Sequence, residues 1–147
     1  MKHKFISCFV ALQLFSICLL AQIKADGILG IWETSGKEPA KIEVYKSLDK
    51  YYGKIIWLKY PNEKGSSKLD KNNPDKKKQN QQIIGLLILT ELSFDSDEWS
   101  DGKIYDPESG NTYSCYISIK NKTTLKVRGY LGISLFGRTE FWSKGSL

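Results

Sequence analysis

The stretch EWSDGKIYDPESGNTYSCYISIKNKTTLKVRGYL, residues 98–131, decides the fold, because it holds three strand patterns separated by two short turns. Apolar residues recur at every second position, as in Cys115, Ile117 and Ile119, which is the period of a half-buried strand. In the first turn, residues 106–110, proline pre-sets one dihedral angle and glycine tolerates a positive φ. Turns this short join only antiparallel neighbours, so the stretch predicts a β-meander.

The same alternation continues on both sides of this meander. Eight strands in sequence order remove their exposed edges most simply by closing into an up-and-down barrel. A barrel of eight strands is either filled by its own side chains or holds one small ligand. We therefore predict an all-β, eight-stranded antiparallel up-and-down barrel, with strands at residues 31–36, 40–47, 51–59, 86–92, 98–105, 111–119, 123–131 and 135–144.

The link after the third strand, residues 60–82, is long, polar and rich in lysine. Asn73 is a suitable helix cap, Pro74 suits the first helical position and Gly85 suits the end, so the pattern predicts a short helix at residues 74–84.

The same link partly matches a calcium loop, because Asp70, Asn72 and Asp75 could supply oxygen ligands. A calcium loop of this type needs glycine at its sixth position and glutamate at its twelfth, where this chain has Asp75 and Gln81. We favour a capped turn here and predict no metal site.

The N-terminus has the pattern of a signal peptide, with Lys2 and Lys4 before an apolar run at residues 5–21 and a small residue at Ala25. We predict a cleaved signal at residues 1–25 and one domain at residues 26–147. The alternative is an uncleaved N-terminal anchor, since the apolar run is only just short of a bilayer span. The prediction implies an exported bacterial protein, periplasmic or extracellular, with no stable membrane span after cleavage.

Loss of the signal would remove His3, the only histidine, and every cysteine except Cys115. The mature domain then has no disulfide and no imidazole for a nucleophile pair or a zinc site. It keeps 19 basic and 16 acidic residues, and its only basic run, residues 76–78, has no aromatic residue among its lysines. We predict no nucleic-acid partner, no cofactor, no catalytic residues and no enzymatic activity; a hydrolase that uses two carboxylates is the less favoured alternative.

A set of short motifs runs in order along nearly the whole chain after residue 25: Gly30-Ile31-Trp32, residues 52–58, Asp70, Asn73-Pro74-Asp75, Gly85-Leu86, residues 102–107, residues 110–113, residues 128–132, residues 137–139 and Trp142. In these residues the chain resembles the uncharacterised secreted bacterial family known as domain of unknown function 2147. The resemblance implies export, a single domain and a calycin, or lipocalin-like, barrel, and Gly30-Ile31-Trp32 is similar to the opening motif of lipocalin strands. The resemblance names no ligand.

The only two arginines lie in the near-palindrome RGYLGISLFGR, residues 128–138. A turn at residues 132–134 would place Arg128 opposite Arg138, on one face with Tyr130, Phe136, Glu140 and Trp142, while Leu125, Val127, Thr139 and Phe141 share the core face. Three readings are open. Arg138 could lie over Trp32, similar to the structural arginine of lipocalins; both arginines could be solvated; or they could share an anion.

Our leading prediction is an exported barrel that binds a small amphipathic or anionic ligand. The alternative is an envelope module that contacts an unidentified partner protein through its cationic and aromatic face. The candidate ligand-binding residues are Arg128, Tyr130, Arg138, Trp32, Trp57 and Tyr113.

Overall fold

The computed structural model describes residues 25–147, so residues 1–24 of the predicted signal peptide lie outside the described part. Within residues 25–147, no helix has the length and apolar character needed to cross a membrane. Helical structure there consists of two single turns of 3-10 helix, Asp26–Ile28 and Lys76–Lys78.

Eight antiparallel strands form a closed barrel, which confirms the predicted fold class. The barrel strands are β1 (Gly30–Glu33), β2 (Ala40–Ser47), β3 (Lys50–Leu58), β6 (Leu87–Asp95), β7 (Glu98–Asp106), β8 (Asn111–Asn121), β9 (Thr124–Tyr130) and β10 (Gly137–Lys144), and a small extra hairpin consists of β4 (Asn62–Glu63) and β5 (Ser66–Ser67). Around the barrel the order is β1, β10, β9, β8, β7, β6, β3, β2, so consecutive strands are neighbours except where the extra hairpin interrupts the numbering.

One end of the barrel, here called the plugged end, is covered by the N-terminal 3-10 turn. Ile28 is fully buried there, and its carbonyl accepts a hydrogen bond from Nε1 of Trp32 at 2.8 Å. The indole of Trp99 donates to the carbonyl of Ala25 at 3.2 Å. Each buried indole therefore has a partner for its N–H, and the two tryptophans fix the plug to the core.

Two inward-facing glycines make room for the side chains of Leu89 and Leu92 in the barrel interior. A Cβ at Gly53 would lie 2.8 Å from Cδ1 of Leu89, and a Cβ at Gly102 would lie 2.5 Å from Cγ of Leu92. Both leucines are fully buried. This part of the interior is therefore filled by the chain's own side chains.

The opposite end, here called the mouth, carries the loops at residues 34–39, 59–86, 107–110 and 131–136. In the longest of them the predicted helix at residues 74–84 is reduced to the turn Lys76–Lys78, capped by Asp75 rather than Asn73. The backbone N–H of Asp70 bonds to the carbonyl of Gln81 at 2.9 Å, so the chain returns on itself and leaves room for only one helical turn.

The pairing of β9 with β10 differs from the sequence prediction by one residue. Tyr130 pairs with Gly137, so Arg138 lies opposite Gly129 and Arg128 lies opposite Thr139. The connection is a six-residue loop, residues 131–136, rather than a three-residue turn.

A shift of one residue moves every side chain of a strand to the other face. The predicted grouping of Thr139 and Phe141 with Leu125 and Val127 is therefore wrong. Instead Trp142 pairs with Leu125 and Glu140 pairs with Val127, on the core face.

Candidate ligand site at the mouth of the barrel

Three strands bring small, apolar and cationic residues together on the interior side of the mouth. Arg138 pairs with Gly129, and Gly129 pairs with Cys115 on the next strand. A Cβ at Gly129 would lie 3.2 Å from Cγ2 of Ile104 and 3.5 Å from Cβ of Tyr113. Ile104 and Tyr113 therefore pack closely over Gly129, and Arg138 lies beside this glycine on the neighbouring strand.

This lining is partly open to solvent, whereas the layer beneath it is not. Ile104, Tyr113 and Gly129 are half-buried, while Val127 is 3% exposed and Cys115 is fully buried. Burial also raises the pKa of the Cys115 thiol to about 12, so the thiol is neutral and forms part of an apolar floor. This half-exposed apolar surface over a buried layer is here called the recess.

The side chain of Arg138 is 79% exposed, and its Nη2 lies 3.1 Å from Oε1 of Glu140. Oε2 of the same carboxylate accepts a hydrogen bond from Nε1 of Trp142 at 3.4 Å. Such exposed ion pairs contribute only about 0–1 kcal/mol, so the guanidinium can exchange Glu140 for another anion at little cost.

The wall beside Arg138 is incomplete. Only Ser143 and Lys144 of β10 pair with β1, and residues 137–142 pair with β9 alone. The interior face of β10 near the mouth therefore has no paired strand on its β1 side, and this accords with the 79% exposure of the Arg138 side chain.

Arg128 has a different role, and the two arginines do not face each other. Its Nε donates to the carbonyl of Ser134 at 2.8 Å, its Nη2 to the carbonyl of Leu135 at 3.2 Å, and its Nη1 to Oγ1 of Thr139 at 2.8 Å. The guanidinium is thus used to hold the loop between β9 and β10.

The predicted packing of Arg138 over Trp32 is wrong, and a lysine occupies that position. Nζ of Lys144 lies 4.4 Å from the ring centroid of Trp32, in the cross-strand partner position. Trp32 is 1% exposed and lies in the core near the plugged end, so its role is structural.

Tyr130 and Trp57, the remaining predicted residues, are not beside Arg138. Tyr130 comes two residues after Arg128 and shares its outward face, where its ring centroid lies 6.3 Å from that of Tyr116. Trp57 is 38% exposed, with Nζ of Lys41 5.1 Å from its ring centroid. Of the six candidate residues, the structure brings only Tyr113 and Arg138 together at the mouth.

The sequence prediction missed a polar cluster that anchors the long loop. Asp70 is fully buried, and among residues 25–147 it is the only buried charged side chain. Its Oδ1 accepts from the hydroxyl of Tyr105 at 2.7 Å, and its Oδ2 accepts from Nδ2 of Asn73 at 2.6 Å. The backbone carbonyl of Asn73 in turn accepts from Nε2 of Gln79 at 2.9 Å.

Burial raises the pKa of Tyr105 well above its usual range, and the hydrogen bond to Asp70 adds to this shift. Tyr105 therefore stays a neutral donor. The Asp70 carboxylate is used for structure, and no group of three or more acidic, cysteine or histidine side chains suited to a metal ion occurs in the part of the chain that the structure describes. The spacing of Asp70 and Asn73 was visible in the sequence, but their partner on β7 was not.

The fold and this partly open recess define a lipocalin-like β-barrel. The chain belongs to the family "Uncharacterized protein conserved in bacteria (DUF2147)", whose model matches residues 30–144. Among solved structures it is similar to protein HP1028 from Helicobacter pylori, described as belonging to the lipocalin family, with 22% identity and a TM-score of 0.73 over 81% of this chain and 83% of that one. This likeness shows the fold. No curated protein matches the sequence.

Proposed function

We propose that the protein is an exported, non-catalytic binding protein whose barrel mouth takes a small amphipathic ligand with an anionic head group. The observation that carries this proposal is a half-exposed apolar lining, Ile104 and Tyr113 beside Gly129, next to the exposed guanidinium of Arg138. Ligand sites typically combine a mostly apolar surface with a few polar groups that fix orientation.

The apolar part of the ligand would lie against Ile104 and Tyr113 at the mouth, because Val127 and Cys115 in the layer beneath are already buried by the chain's own side chains. Each CH₂ group buried there contributes about 0.8 kcal/mol. An anionic head group would pair with Arg138 by charge-assisted hydrogen bonds, which a planar guanidinium can form in bidentate geometry.

Export is supported by the pattern of residues 1–25 and by the single cysteine left after them. Fractionation of the host cells, with N-terminal sequencing of the recovered protein, tests it. We expect the protein in the periplasm or medium with its sequence starting at Asp26.

Native mass spectrometry of the protein purified from its host, followed by titration with a dansyl-labelled fatty acid, tests ligand binding. We expect a retained small molecule and saturable binding of the probe. Arg138→Gln should weaken the probe's affinity roughly tenfold, because a hydrogen bond to a charged group contributes about 1.5–3 kcal/mol. Gly129→Val should block binding, because its side chain would collide with Ile104 and Tyr113 and displace them from the lining.

Lys122→Gln is the matched control, because it removes one positive charge in the turn between β8 and β9 at the plugged end. Circular dichroism of each variant checks that the barrel is intact. Equal probe affinity in folded Gly129→Val and the natural sequence would refute the mouth as the binding site.

The predicted surface-contact alternative required one exposed patch that contains Arg128, Tyr130, Phe136 and Arg138. The guanidinium of Arg128 is bonded to the loop, and Arg138 lies on the interior face. These side chains do not form one face, so the geometry gives more support to ligand binding at the mouth.

A further inference from the structure

The loop between β9 and β10, residues 131–136, presents a continuous apolar tip to solvent. Isolated apolar residues are ordinary on protein surfaces, but clusters of large ones mark contact sites. Every large side chain in this loop is apolar and exposed: Leu131 by 63%, Ile133 by 60%, Leu135 by 76% and Phe136 by 70%.

The backbone of this tip is fixed from beneath. Arg128 donates hydrogen bonds to the carbonyls of Ser134 and Leu135, and the N–H of Phe136 bonds to the carbonyl of Ile133 at 3.1 Å. The carbonyls of residues 133–136 are therefore all hydrogen-bonded, while the large apolar side chains of the loop are exposed. Such a loop can enter an apolar phase without exposing many unpaired carbonyls, which would be costly there.

Charge is distributed unevenly between the two ends of the barrel. Loops at the mouth carry eight lysines and five acidic residues, whereas those at the plugged end carry three aspartates and one lysine. The mouth is therefore the positive end. Its lysines are Lys37, Lys59, Lys64, Lys68, Lys71, Lys76, Lys77 and Lys78, its acids are Glu38, Glu63, Asp70, Asp75 and Glu108, and the plugged end has Asp26, Asp49, Asp97 and Lys122.

We infer that the loop at residues 131–136 inserts into the surface of a lipid bilayer with anionic head groups and sets the barrel mouth against the membrane. The apolar tip supplies buried area, and the lysines of the long loop at residues 59–86, at the same end of the barrel, supply attraction to anionic lipid. A second copy docked tip to tip would bring two positive ends together, which disfavours self-association at this site. The inference goes beyond the proposed function, because bilayer binding depends on the loop and not on the recess.

Co-sedimentation of the host-exported protein with vesicles tests this inference. We compare vesicles of phosphatidylcholine alone with vesicles that also contain phosphatidylglycerol. Binding should be stronger with phosphatidylglycerol and should weaken as salt is raised. The double variant Leu135→Ser/Phe136→Ser should bind roughly a hundredfold more weakly, because each lost apolar side chain accounts for about a tenfold change.

Leu48→Ser is the matched control, because Leu48 is 92% exposed in the turn between β2 and β3 at the plugged end. It should bind vesicles as the natural sequence does. Equal binding by the double variant, or no binding of the natural sequence to either vesicle, would overturn the inference. So would a dimer in sedimentation velocity without lipid that the double variant abolishes.

The two proposals fail separately. Loss of vesicle binding in the loop variant with an unchanged affinity for the dansyl fatty acid supports the bilayer site alone. Gly129→Val should retain vesicle binding, since its side chain faces the recess. A folded Gly129→Val variant that binds neither the dansyl fatty acid nor vesicles would contradict the inference that bilayer binding depends on the loop and not on the recess.

Discussion

Replacing Tyr105 by phenylalanine should destabilise the barrel by loosening the long loop at its mouth. The substitution removes the hydroxyl that donates to Oδ1 of buried Asp70 at 2.7 Å and leaves the ring in place. A hydrogen bond to a charged group contributes about 1.5–3 kcal/mol, and because Tyr105 is only half-buried we expect the lower part of that range, about 1.5–2 kcal/mol. Asn73 remains bonded to the other oxygen of the carboxylate.

Urea unfolding followed by tryptophan fluorescence measures this loss, because three buried tryptophans report on the core. With a slope of about 1–3 kcal/mol per molar urea, the midpoint should fall by roughly 1 M. Tyr60→Phe is the control, because Tyr60 lies in the long loop that Asp70 anchors and its side chain is 50% exposed. In a double-mutant cycle with Asp70→Asn, the two substitutions should couple by about 0.5–3 kcal/mol. If Tyr105→Phe and Tyr60→Phe unfold at the same urea concentration, the anchoring role of Asp70 is refuted.

Other substitutions and conditions test the core, the loop and the titration of the same cluster. Tyr51→Phe should stabilise the protein by about 1 kcal/mol in urea unfolding, because the buried Tyr51 hydroxyl has no hydrogen-bond partner among residues 25–147; a loss of stability would reveal a partner. Gly102→Ala should cost about 1–3 kcal/mol, because its Cβ would lie 2.5 Å from Cγ of Leu92, and an unchanged midpoint would contradict this packing. Arg128→Ala should speed amide hydrogen exchange in residues 131–136 relative to the rest of the barrel, and uniform exchange would show that the guanidinium does not hold the loop. Because the pKa of Tyr105 is raised in the folded state, its contribution to stability is fully present below about pH 10, the ordinary tyrosine value, and is lost as pH rises above it; Tyr105→Phe should flatten that alkaline decline.

The strand content was predictable because it depends on local alternation and short turns. The meander at residues 98–131 appears as β7, β8 and the start of the β9–β10 hairpin, and the number of barrel strands is as expected. Closure followed from eight antiparallel strands with edges to remove. The helix at residues 74–84 failed because the chain turns back to bond Asp70 with Gln81, which leaves room for the single turn that Asp75 caps.

The candidate site was predictable only in part. Tyr113 and Arg138 do lie near each other at the mouth, on either side of Gly129, but no spacing in the sequence indicated that this glycine would lie between them. Arg128 was grouped with Arg138 because the palindrome suggested a symmetric hairpin. The real loop has six residues, and this even length moves the two arginines to opposite faces.

The sequence by itself determined which segments are strands, how many there are and that they close, because these properties arise from neighbours along the chain. Only the tertiary structure decided which cation covers Trp32, which arginine faces the interior and what partner Asp70 has. Those outcomes depend on the register between strands and on loop length, because a register shift of one residue turns every side chain of a strand to the opposite face. Arg138 faces the interior because the loop at residues 131–136 sets the register of β10 against β9, and Lys144 reaches Trp32 because of the register of β10 against β1.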